Sequence, residues 1–126
     1  KEPDLYRCAI SINGVLDLEM FVESADDLVF GNVKRQMWNN YQEADEYSPY
    51  HQAEKIKAPM LLIASERDTV VPKEHSKRMR KALKKNKTVV EYVELPDGEH
   101  WRTNEANELT KFRSIESFLS RHMDLP

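Results

Sequence analysis

The sequence predicts an α/β fold, a mainly parallel three-stranded sheet with flanking helices in the order β-α-α-β-α-β-α. A continuous apolar block, Met60-Leu61-Leu62-Ile63, has the length and apolarity of a strand in the middle of a parallel sheet. Strand-like runs alternate along the chain with segments of helical period, which implies parallel pairing with right-handed crossovers. Turn-forming or charged residues follow the strand-like runs, so loops open at one rim of the sheet.

The first strand is expected in "YRCAISING", residues 6–14, a short apolar run read as buried on both faces and stopped by the turn signal Asn13-Gly14. Asp17 is placed to cap a helix running through Phe21. Gly31-Asn32 breaks that helix, and Val33, Met37 and Tyr41 mark a second amphipathic series. Pro49 ends it, because the residue before a proline is pushed out of helical conformation. After the central strand in "APMLLIAS", residues 58–65, a charged loop leads to Pro72 at the expected first position of a basic helix. "KTVVEYVEL", residues 87–95, alternates as the third strand. The last helix is expected from about Asn104 to His122, with Leu109, Phe112, Ile115 and Leu119 as its buried stripe and Glu105 and Glu108 near its positive end.

A chain of 126 residues is long enough to bury a real core. With 40% hydrophobic and 33% charged residues it reads as soluble and globular, with no apolar run near the roughly 20 residues a membrane helix needs. Without such a run no membrane is an expected partner, and a net charge of −3 supplies no field for a polyanion, so nucleic acid is not expected either. The basic run "KEHSKRMRKALKKNK", residues 73–87, carries Met79, Ala82 and Leu83 at helical spacing; it reads as a solvated helix face, with anion binding as the lesser alternative. Cys8 is the single cysteine, which excludes a disulfide framework and leaves cytosol and periplasm both open. No signal peptide is read after Lys1, and the chain is expected to be a cut from something longer. His51, His75 and His122 lack spaced partners for a metal and read as surface or helix residues; no metal and no cofactor is expected.

Asp68 and His100 stand in the loops after consecutive strands. Neighbouring strands lie about 4.8 Å apart, so loops from the same ends can bring the two side chains together. A carboxylate beside an imidazole fixes the tautomer and stabilises the imidazolium, leaving the other ring nitrogen to take a proton from a nucleophile. Taken singly, Asp68 also reads as a turn or cap residue and His100 as a loop histidine.

The stretches "YRCAISINGVLDL", "YSPYHQAEKIKAPMLLIASERDTVVP" and "SKRMRKALKKNKTVVEYVELPDGEHW" resemble the C-terminal end of α/β-hydrolases, most closely the prolyl oligopeptidase family, over nearly everything from Tyr6 to Leu119. In that family the acid follows the seventh strand in an Asp-x-x-Val-Pro context, here Asp68-Thr69-Val70-Val71-Pro72, and the histidine follows the eighth, here in Asp97-Gly98-Glu99-His100. The resemblance implies catalytic roles for Asp68 and His100. It also makes Val70 and Val71 candidates to line a substrate pocket, beside the alternative that they pack under the following helix. Ser65 and Glu99 depart from the family, which usually has glycine at both places. Residues 1–126 are thus expected to be the C-terminal half of a peptidase domain acting on peptide substrate in the complete protein, and incomplete without its upstream strands.

A serine hydrolase of this fold carries its nucleophile on a Gly-x-Ser-x-Gly elbow. The only glycines are Gly14, Gly31 and Gly98, none two residues from a serine, so the elbow is absent. Cys8 and Ser11 lie inside the first strand and make poor substitutes. The chain alone is therefore expected to be inactive, and its strand at residues 7–12, deprived of a partner, is expected to drive self-association. An esterase or lipase shares the Asp and His motifs and is the runner-up; a non-catalytic interaction module on the same scaffold is the rival of another class.

Overall fold

The structure, a computed structural model, describes residues 4–24 and 44–123. Its elements are β1 (Ala9–Ile12), α1 (Leu18–Glu23), α2 (Ala44–Tyr47), a 3₁₀ turn (Ala53–Lys55), β2 (Met60–Ser65), α3 (Glu74–Lys85), β3 (Val90–Leu95) and α4 (Glu105–His122). The expected break at Gly31-Asn32 and the series Val33, Met37 and Tyr41 lie outside the described residues.

The strands form one parallel sheet in the order β1-β2-β3, with Ala9 opposite Met60 and Met60 opposite Val90. Every residue of β2 is buried, as expected of a strand between two neighbours with helices on both faces. Alternation along β2 divides the core. Met60 and Leu62 face Leu16, Met79 and Leu83, while Leu61 and Ile63 face Leu95 and Phe118. Thus α3 covers one face and α4 the other. Burying each of these leucines contributes about 1.5–3 kcal/mol.

Local chemistry sets the ends of the helices. Asp17 caps α1 by accepting from the Met20 N–H at 3.0 Å, and Asn104 caps α4 by accepting from the Asn107 N–H at 2.8 Å. Helix α3 closes on Lys87 at φ 59°, with Thr88 N–H donating to the Leu83 carbonyl and Lys87 N–H to that of Lys84, the bond pair of a Schellman turn.

Three expectations need correction. Strand β1 is only half-buried and Ile12 is 45% exposed, because both long helices pack over β2 and β3. Pro72 precedes the first turn of α3, offering its carbonyl to the His75 N–H, and the helix itself starts at Glu74. The stripe of α4 is turned by roughly a quarter of the helix circumference from the expected one. Asn107 and Phe118 are buried with Ile115 beside them, whereas Leu109 and Phe112 are 48% and 60% exposed. At the amino end of α4 the same face carries Asn107, whose Nδ2 donates to the Pro96 carbonyl at 2.8 Å, and further along it packs Phe118 and Ile115 on the sheet. His75 is a helix residue, one of the two readings open to it, and it is buried in α3 with its Nδ1 accepting from the Asp17 N–H at 3.3 Å.

Candidate active site

At the carboxyl ends of β2 and β3 two loops are laced together by main-chain bonds. Glu66 N–H donates to the Leu95 carbonyl at 3.0 Å, and Arg67 N–H to the Gly98 carbonyl at 2.8 Å. Side chains add to this, because Glu66 accepts from the Asp97 N–H at 3.0 Å and Arg67 pairs with the Asp97 carboxylate. Asp97 takes φ 56°, a left-handed conformation that aspartate tolerates better than most residues. Gly98 fits closely, since a Cβ there would stand 3.2 Å from Ser65 Oγ and 3.3 Å from the Leu95 carbonyl oxygen, so those neighbours would have to give by a few tenths of an ångström.

Within this frame the Asp68 side chain is fully buried and its two oxygens are divided between two tasks. Oδ1 accepts from the N–H groups of Val70 and Val71 at 2.9 and 2.8 Å, fixing the loop that leads into α3. Oδ2 stands 2.7 Å from His100 Nδ1. A carboxylate at that distance holds the proton on Nδ1 and leaves Nε2 with its lone pair in the neutral ring. The imidazole is 21% exposed, its edge set against Trp101 at 4.8 Å and 88°. Among the described residues no hydrogen bond engages Nε2, so that nitrogen is available to a reacting group.

Asp68 and His100, expected to meet, therefore do meet. Val71 is buried and Val70 half-buried, and what joins both to the site is the main-chain N–H. Ser65 and Glu99, the two departures from the family pattern, are both accommodated. Ser65 is buried with its N–H and hydroxyl bonded to Asn13, and Glu99 has no positive φ, its N–H donating to the Arg102 carbonyl at 2.8 Å. Asn13 is a member of the site that reasoning from sequence missed. The only signal was its position in the turn after β1, at the same rim as the two loops.

Away from this rim, His51 lies near Glu19 and Asp17, with candidate ligand atoms within 4.8 Å of one another. The Asp17 carboxylate is already engaged, capping α1 through Oδ1 and facing the Arg78 guanidinium at 2.7 Å through Oδ2. A second network flanks the site on its α3 side. Glu94 accepts from Lys73 at 2.6 Å and from the Tyr92 hydroxyl at 2.8 Å. These bonds, Lys73 first, hold the Glu94 carboxyl below the ordinary range, and the same bond raises Lys73. Burial, then the bond to Glu94, pushes Tyr92 up. Among the described residues no helix is long and apolar enough to cross a membrane.

With the geometry established, comparison with known proteins is decisive on one point. A profile of the prolyl oligopeptidase family matches residues 1–125. The chain belongs to the prolyl oligopeptidase family. No curated protein matches the sequence. Among solved structures, the chain is similar to a puromycin-hydrolysing peptidase of Mycobacterium tuberculosis, with a TM-score of 0.83 and 21% identity over 94% of this chain and 19% of that one. Acylaminoacyl peptidase of Pyrococcus horikoshii gives a TM-score of 0.83 and 24% identity over 98% of this chain and 21% of that one. Dipeptidyl peptidase 4 of Porphyromonas gingivalis gives 0.79 and 14% over 98% and 17%. The α/β-hydrolase fold expected from sequence is thereby shown, and the chain spans about a fifth of the length of the structures it matches.

Proposed function

We propose that this chain supplies the base and the acid of a serine peptidase whose nucleophile lies outside these residues. The observation that carries the reading is the 2.7 Å contact between Asp68 Oδ2 and His100 Nδ1, made by a fully buried carboxylate at the strand rim where such chemistry gathers. Family membership and the absence of any Gly-x-Ser-x-Gly elbow from the sequence support the same reading.

In this mechanism His100 Nε2 takes the proton from the serine hydroxyl as its oxygen bonds to the peptide carbonyl carbon. The imidazolium so formed is stabilised by Asp68, then gives the proton to the departing amine as the C–N bond breaks. Water repeats the cycle on the acyl-enzyme, with the proton passing again through Nε2 and the serine regaining its hydrogen. Asp68 remains a carboxylate throughout, its second oxygen held by the Val70 and Val71 amides. Val70, half-buried beside the acid, is the better placed of the two valines to touch a substrate, and Val71 acts through its amide and its packing.

A fluorophosphonate probe tests the proposal. The complete protein is expected to take one label, on an elbow serine that precedes Lys1, and this chain alone none. Stoichiometric labelling at Ser11 or another serine of this sequence would overturn it.

A further inference from the structure

Asn13 follows β1 at φ 47°, in the left-handed region where asparagine is among the best-tolerated residues. Its own N–H extends the ladder by donating to the Ile63 carbonyl at 2.9 Å, so the main chain is anchored to β2 while the side chain reaches along the rim. The carboxamide makes three hydrogen bonds. Oδ1 accepts from the Ser65 N–H at 2.8 Å, and Nδ2 donates to Ser65 Oγ at 3.0 Å and to the His100 carbonyl at 3.3 Å. The amide orientation follows from its partners, since a main-chain N–H needs an acceptor and a carbonyl needs a donor.

We propose that Asn13 is a positioning residue for the His100 imidazole, joining the end of the strand that leads to Asp68 with the residue that carries the ring. The Asp68 contact restrains one ring atom and leaves the ring free to pivot with its loop. That loop is exposed at Asp97, Glu99, Trp101, Arg102 and Thr103. Its entry is tied at Pro96 by Asn107, and its turn is closed by Glu99 and Arg102. Only the Asn13 amide, among the described residues, bonds the main chain of His100 itself. Because Ser65 is three residues before Asp68, the same carboxamide fixes the spacing between the two loops. Misplacement of a catalytic group by about 1 Å can lower turnover by about 10²-fold, so a modest bond here has a large lever.

The proposal rests on the catalytic reading only for the use made of the pair; the tie itself is measurable without turnover. Nitrogen-15 NMR of the His100 ring in this chain reads the tautomer and the Nδ1–H signal. Asn13→Asp keeps an acceptor for the Ser65 N–H but sets an oxygen against the His100 carbonyl, and Asn13→Ala removes the tie without adding charge. In both, the Nδ1–H signal is expected to broaden and the ring shifts to move toward mixed tautomers, while the amide signals of α3 and α4 stay in place. Unchanged ring signals in a folded variant would overturn the proposal. Should neither variant fold, hydrogen exchange in the unaltered chain decides: a protected Asn13 Nδ2 proton supports the tie, and exchange as fast as in an exposed asparagine sinks it. In the complete protein, kcat is expected to fall about 10²-fold with KM nearly constant. Turnover that survives His100→Ala would remove the catalytic reading and leave the ring signals to judge Asn13 separately.

Discussion

Asp68 holds His100 Nδ1 at 2.7 Å with one carboxylate oxygen while its other oxygen receives the amides of Val70 and Val71. One buried side chain thus orients the imidazole and is itself oriented by the loop that leads into α3.

Replacing Asp68 by Asn separates these tasks. The amide oxygen can still accept from Val70 and Val71, but the NH₂ group now faces Nδ1 and forces the ring proton onto Nε2, where no base remains. In the complete protein kcat is expected to fall on the order of 10⁴-fold. The thermal midpoint should change little, because both loop bonds persist. A fall of less than about tenfold would mean that the carboxylate is a loop residue and not the partner of the base.

The rotation of α4 gives a stability test. Phe118 is fully buried against Leu61, Ile63 and Leu95, so Phe118→Ala is expected to cost about 3–5 kcal/mol in urea denaturation. Phe112→Ala, at a position 60% exposed, should cost less than about 0.5 kcal/mol. Equal costs would restore the stripe read from the sequence.

That pair also shows where sequence stops being informative. The amino end of α4 was legible because Asn104 and the acidic residues after it are local signals, and β2 was legible because four apolar residues stand together. Asp68 and His100 could be paired in advance because parallel strands deliver successive loops to one rim. The face that α4 buries includes a polar residue, Asn107, hydrogen-bonded across a loop to the Pro96 carbonyl, a contact that hydrophobic period does not encode. Asn13 was hidden for the same reason, its partners being 52 and 87 residues away, as was the buried His75, whose bond to Asp17 spans 58.

The Glu94 network predicts a pH dependence with two limbs. Glu94 is lowered, so its contribution is complete above the ordinary glutamate value of 4.5 and is lost as pH falls through the lowered one. Lys73 and Tyr92 are raised, so their contributions are complete below 10.5 and 10.0 and are lost at more alkaline pH. Urea midpoints should therefore decline toward both extremes, and Glu94→Gln should flatten the acid limb while leaving in the alkaline one the part that burial of Tyr92 causes. Identical profiles for the two proteins would remove Glu94 from the account.

Strand β1 has β2 on one side and, among the described residues, no strand on the other. Its Ala9 and Asn13 N–H groups point to β2, so by alternation Ile10 and Ile12 present theirs to the open edge. This chain is expected to self-associate at high micromolar concentration, and Ile12→Lys, which puts a charge on that edge, should reduce it. Light scattering that finds only monomer in the unaltered chain would contradict this.

The most direct test is turnover of a peptide amide by the complete protein carrying His100→Ala. Loss of the base should lower kcat by about 10⁶-fold, to the level reached when the nucleophile itself is removed. Activity within about tenfold of the unaltered protein would show that some other group takes the proton, and that the meeting of His100 with Asp68 belongs to the architecture alone.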